Sequence, residues 1–197
     1  MKKVFLFLVA LIPFVGIHAQ DFHFSPRLGM SLSNLTGAEG NMKPGVNVGF
    51  AVEIPLAELF SIEPGVYYSM QGSKTDNGSM TLNMDYINIP IHAKYYIYEG
   101  LHLIAGPQFA FNVNSKFKSD APTLSDDIDI KKVVNTFDFG INLGLGYQFP
   151  IGLNVGLQYN LGVTKVFEDS GLRIEEKDIV FDNCNNRVLQ INLGWRF

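Results

Sequence analysis

The stretch Thr136-Phe137-Asp138-Phe139-Gly140-Ile141-Asn142-Leu143-Gly144-Leu145-Gly146-Tyr147-Gln148 alternates without a break. Phe137, Phe139, Ile141, Leu143, Leu145 and Tyr147 share one parity, and Asp138, Gly140, Asn142, Gly144, Gly146 and Gln148 share the other. Successive side chains of an extended chain point to opposite faces, so this period of two predicts a strand with unlike sides. Seven further segments repeat it: residues 22–33, 45–54, 60–71, 85–97, 101–114, 153–165 and 189–197. No helical spacing competes over a comparable length.

The final segment, Gln190-Ile191-Asn192-Leu193-Gly194-Trp195-Arg196-Phe197, carries its apolar parity (with Leu189) to the last residue. A chain end in water frays and gains nothing from a bulky aromatic there. A closing strand whose outer face meets lipid does gain from it. The connections alternate between short ones (55–59, 98–100, 149–152) and long polar ones (34–44, 72–83, 115–135, 166–187). That asymmetry is expected of outer-membrane barrels, with short periplasmic turns and long external loops. Strands of about 10 to 12 residues, tilted near 40°, cross an apolar band of roughly 25 Å. Aromatics gather at both predicted rims: Phe22, Phe60, Tyr95, Tyr147, Trp195 and Phe197 at one, Tyr68, Phe111, Phe137 and Phe167 at the other. The expected fold is therefore all-β: an eight-stranded antiparallel up-and-down transmembrane β-barrel in an outer membrane. A soluble barrel of the same strands would turn the apolar face inward. The polar face, rich in Gly, Asn, Ser and Gln and poor in Lys and Glu, suits a tight interior better than a solvated surface.

The first residues read as an export leader. Lys2 and Lys3 precede an apolar core from Val4 to Ile17, and the small Ala19 stands before Gln20. The core is short of the roughly 20 residues a spanning helix needs, and Pro13 interrupts it. Cleavage between Ala19 and Gln20 is expected to release residues 1–19 and leave one barrel domain over residues 20–197. The chain is 47% hydrophobic and only 17% charged, with a formal net charge of −4, so nothing in it forms the basic footprint of a nucleic-acid partner. The partner expected first is outer-membrane lipid.

Parity places Arg27, Glu53, Glu63, Lys94 and Arg196 on the inward face, in the half nearer the short turns. Unpaired charges in a narrow, partly dehydrated tube are costly, so these five are expected to pair across strands and plug it. The competing expectation is a water-filled passage lined by the same groups. No catalytic, cofactor-binding or metal-binding residues emerge. His23 and His102 lie at the short-turn ends of their strands and His92 lies mid-barrel, away from any external lipid headgroup. Asp120, Asp126, Asp127 and Asp129 lack the spacing and glycine of a calcium loop, and Lys116, Lys118, Lys131 and Lys132 balance them. Cys184 is the lone cysteine and reads as a free thiol in an exposed loop.

The run Tyr86-Ile87-Asn88-Ile89-Pro90-Ile91-His92-Ala93-Lys94-Tyr95, the leader ending His18-Ala19-Gln20, Phe139-Gly140 with Gly144-Leu145-Gly146-Tyr147, and the aromatic end together resemble the outer-membrane β-barrel family of Bacteroidota that includes the PorT proteins. Asn88 departs from the pattern, standing where an acidic residue is common. The resemblance implies a barrel and no reaction. It implies that barrel-assembly machinery reads Trp195 and Phe197 as an insertion signal, although Asn192 stands where that signal often has glycine. The expected role is non-enzymatic, in structure, assembly or a secretion complex through the external loops. A small porin-like pore is the alternative, and a membrane-embedded lipid-modifying enzyme the remote one.

Overall fold

The computed structural model describes residues 22–36, 41–74, 80–119, 128–131, 134–167, 172–174, 177–179 and 184–197. The expected leader, with Ala19 and Gln20, lies outside them, as do Asp120, Asp126, Asp127 and Lys132. Strands β1 (His23–Thr36), β2 (Asn41–Ala57), β3 (Phe60–Lys74), β4 (Met80–Tyr98) and β5 (Leu101–Ser119) are followed by a short β6 (Ile128–Asp129). Then come β7 (Phe137–Gln148), β8 (Leu153–Gly162), the small hairpin β9 (Leu172–Ile174) and β10 (Lys177–Ile179), and β11 (Asn185–Trp195). Each long strand pairs antiparallel with its neighbours in chain order; β1 pairs β11 and β4 pairs β5, so the sheet closes on itself. The result is a closed eight-stranded antiparallel barrel, with no helix among the described residues. Closure removes sheet edges through the membrane-crossing part, so strand amides there can pair without water.

The alternation sorts as the sequence predicts. Leu143, Leu157 and Ile191 are 49%, 47% and 55% exposed, while their chain neighbours Asn142, Gln158 and Asn192 are buried. At the short-turn end, Gly100 (φ 92°) and Gly152 (φ 95°) supply the left-handed backbone that tight hairpins need. Phe22, Phe60, Tyr95, Trp195 and Phe197 ring that end with exposed rings.

The other end differs from expectation in two respects. First, the strands outrun the segments that alternate: β1 reaches Thr36, β2 begins at Asn41, and β4 and β5 hold 19 residues each. At about 3.3 Å per residue and 40° tilt, such a strand rises roughly 45 Å, well beyond an apolar band of about 25 Å. Backbone pairing continues where outward residues no longer meet lipid, as in Thr81 opposite Lys118 and Asn83 opposite Lys116. Second, the interior there holds an apolar cluster beside buried Ser33, Gln71 and Ser115. Leu35, Met84, Tyr86 and Ala110 from the wall cluster with Ile130, Val134, Val166, Phe167 and Cys184 from the connections. An antiparallel bridge joins Val134 to Phe167, and Val166 donates its N–H to the Cys184 carbonyl at 2.8 Å. The described residues of two connections beside these positions thus reach the barrel interior with backbone paired. Phe167 is therefore buried rather than at the rim, and Cys184, expected as an exposed loop thiol, is 2% exposed within this cluster.

Leu157 lies in the middle of the outward band, in a row with Ile191 and Leu145 on the adjacent strands. Leu157→Arg should cost about 2–4 kcal/mol in chemical unfolding from lipid vesicles. A change within about 0.5 kcal/mol, typical of a solvated surface position, would show that this face is not in acyl tails.

Candidate functional site

Polar side chains are buried together in the lumen, which is built in three levels. Nearest the short turns, Glu63 on β3 pairs with Arg27 of β1 and, at 2.5 Å, with the Lys94 ammonium of β4. Lys94 also reaches Glu53 of β2 at 3.0 Å, and the second oxygen of Glu53 accepts from Tyr96 at 2.5 Å and Ser61 at 3.0 Å. Lys94 is 0% exposed. Two carboxylates and two cations thus balance, and the shared Lys94 holds both acids. All four come from the β1–β4 wall. They have room because glycines replace side chains around them: the Arg27 stem lies over Gly194, and the Tyr67 ring covers Gly49 and Gly65.

The next level is made of amides. Asn142 Nδ2 donates to His92 Nε2 at 2.8 Å and to Gln108 at 2.9 Å, while its oxygen accepts from Asn160 at 2.6 Å. With Nε2 accepting, the His92 ring N–H lies on Nδ1, which faces Glu63 at 3.8 Å. His92 therefore ties the charged wall to the amide wall of β5, β7 and β8. Asp138 extends the chain of contacts to β11, accepting from Thr164 at 2.5 Å and from Asn186 at 3.1 Å. The enclosed void at this level, lined by residues such as Asn47, Gln158 and Asn192, measures about 10 Å³. That is room for about one water and no solute. The third level is the apolar cluster described above.

Of the five charges that parity placed inside, the structure brings together Arg27, Glu53, Glu63 and Lys94. Arg196 stands apart. It follows the last residue of β11, and its guanidinium lies 2.9 and 3.2 Å from the two ring nitrogens of His23, with no carboxylate within ion-pair distance among the described residues. His102 Nδ1 donates to the Gly100 carbonyl at 2.9 Å and the ring packs against Tyr96. The amide relay and Asp138 were not singled out from sequence, although their inward parity was legible. The apolar cap had a weaker signal: Ile130, Val134 and Val166-Phe167 are among several apolar residues scattered through the long connections. Among the described residues, no three His, Cys, Asp or Glu side chains gather where a metal ion could sit.

Residues 18–168 match the family described as outer membrane protein beta-barrel domain. The chain belongs to that family. It is an outer-membrane protein, so the short turns and chain ends face the periplasm and the long connections face outward. No curated protein sequence matches it. Among solved structures, it is similar to Ail, the attachment invasion locus protein of Yersinia pestis, at 12% identity and a TM-score of 0.53, covering 90% of this chain and 100% of that one. Ail in complex with the heparin analogue sucrose octasulfate gives 13% identity and a TM-score of 0.52 over the same shares. Neisserial surface protein A gives 12% identity and a TM-score of 0.53, covering 89% of this chain and 97% of that one. At these identities the likeness is one of fold.

Removing Lys94 leaves Glu53 buried without its cation and Glu63 with Arg27 alone. Lys94→Met should lower the unfolding free energy by about 3–5 kcal/mol in denaturant titration from vesicles. Adding Glu53→Gln should recover part of that loss, because the orphaned charge goes with it. A single variant as stable as the parent would mean the lumen charges are hydrated and independent.

Proposed function

We propose that this protein is a non-conducting, non-enzymatic outer-membrane barrel that serves structure, assembly or a secretion complex through the surface it presents outside the cell, in the manner of the PorT proteins its sequence resembles. The observation that carries this reading is the closed interior. An ion-paired level, an amide level and an apolar level lie in series along the axis, and a hydrated solute would have to break all three. Dismantling the first level alone leaves buried charges unpaired, at several kcal/mol each. The placement of the histidines weighs against surface lipid chemistry. His23 and His102 lie at the periplasmic end, and His92 is enclosed by Glu63 and Asn142.

The ordered cap adds a reason to look outward. Ile130, Val134, Val166, Phe167 and Cys184 pin parts of two connections to an apolar cluster, and external connections are where recognition residues concentrate. We further propose that Trp195 and Phe197, exposed on the terminal strand, are what the barrel-assembly machinery reads.

Single-channel recording in planar bilayers decides between this reading and a porin-like pore. The folded protein should give no steady openings, and vesicles containing it should swell in sugar solutions no faster than empty ones. Stable ohmic steps would overturn the sealed-barrel reading.

A further inference from the structure

The periplasmic mouth holds a feature that the sealed lumen does not use. A cavity of about 620 Å³ opens there, within the size range of small-ligand sites. Arg196 lines it from just past β11, His23 from the start of β1, Glu99 from the β4–β5 turn, Tyr147 and Gln148 from the end of β7, and Phe149 from the turn that follows.

Three observations bear on what would occupy it. Arg196 Nη2 lies 2.9 Å from His23 Nε2 and 3.2 Å from Nδ1, with an N–H directed at the imidazole. That contact holds Nη2 and uses neither Nη1 nor Nε, and a guanidinium's N–H fork matches a carboxylate in bidentate fashion. No carboxylate among the described residues occupies the fork. Next, the Tyr147 and Phe149 rings meet edge to face at 4.7 Å and give the cavity an apolar side. Last, Glu99 is held at φ 36°, a left-handed backbone that a glutamate adopts only under strain. An asparagine or glycine would relieve it, yet the strain sets a carboxylate on the rim. Three strand spacings along β5–β7–β8–β11 separate Glu99 from Arg196, roughly 10–15 Å. The two charges are thus too far apart to neutralise each other across water.

We propose that the periplasmic mouth is a binding site for the free carboxylate end of a peptide, gripped by Arg196 beside His23, with the ligand's adjoining side chains against Tyr147 and Phe149. Glu99 across the opening favours a peptide that carries a cationic group about three residues from that carboxylate. Such a site gives a sealed barrel a periplasmic partner, independent of anything its outer surface contacts.

The chain reports on this site itself. Its single tryptophan, Trp195, places the indole ring against Gly152, which also lines the cavity. The test is a titration of the folded full-length protein in detergent micelles, following the Trp195 indole N–H by NMR. The probes are the tripeptide Lys-Ala-Ala with a free carboxylate, its C-terminal amide, and sodium acetate. The free tripeptide should give a saturable shift, at least tenfold tighter than the amide or acetate, and Arg196→Gln should weaken it at least tenfold. Heat-modifiable gel mobility checks that the variant is folded; should it fail, Arg196→Lys, which keeps the cation but not the planar fork, should bind several-fold more weakly than the parent. No saturation up to about 10 mM, equal binding of the amide or of acetate, or an affinity within twofold in both variants would overturn the proposal.

Discussion

Acyl tails offer no partner to a peptide group, and the rest of this structure follows from that. A sheet can cross such a medium only if its last strand finds its first, which β1 and β11 do from Arg27 opposite Gly194 to Thr36 opposite Asn185. Closure then divides every strand into a face that must be apolar and a face that must fit a narrow tube. Phe50, Leu143 and Ile191 satisfy the first demand, and Asn47, Asn142 and Asn192 the second.

Eight strands leave a bore that side chains fill, and what fills it is distributed unevenly. The long charged groups all spring from β1–β4. The opposing wall answers with glycines and amides, so the tips of Arg27, Lys94 and the two glutamates meet near the axis instead of colliding. His92 is the hinge between these halves, bonded to Asn142 and facing Glu63. Because the charges balance and almost every link crosses to another strand, the interior ties strand order together as well as blocking passage. Whether a buried ion pair adds net stability over an apolar filling is a separate matter, and the apolar cluster at the outer end shows both solutions in one tube.

Much of this architecture is legible in the sequence. Strand number, direction and facing follow from parity, because lipid enforces apolar outward positions over the length of the bilayer. That enforcement stops at the headgroups, so the ends of β4 and β5 could not be read: Lys116 and Lys118 face out where water tolerates them, and the periodic signal fades while the backbone keeps pairing. Parity also placed Arg27, Glu53, Glu63 and Lys94 inside, but it contains no register. The Lys94 bridge to both acids depends on which residues lie level across two strand pairs, β2–β3 and β3–β4. Arg196 shares their parity and still stands apart, since it lies past the end of β11. Ile130, Val166, Phe167 and Cys184 belong to no long strand, so alternation could say nothing about their turning inward.

The account depends on two populations of apolar side chain, one bathed in lipid and one sealed from it. Methyl-labelled protein in detergent micelles distinguishes them through intermolecular NOEs from the acyl-chain protons. Strong cross-peaks are expected at Leu143, Leu157 and Ile191, and none at Leu35 or Val188, which are buried inside the wall. Acyl contacts at Leu35 and Val188, or water contacts in their place at Leu143, Leu157 and Ile191, would contradict it.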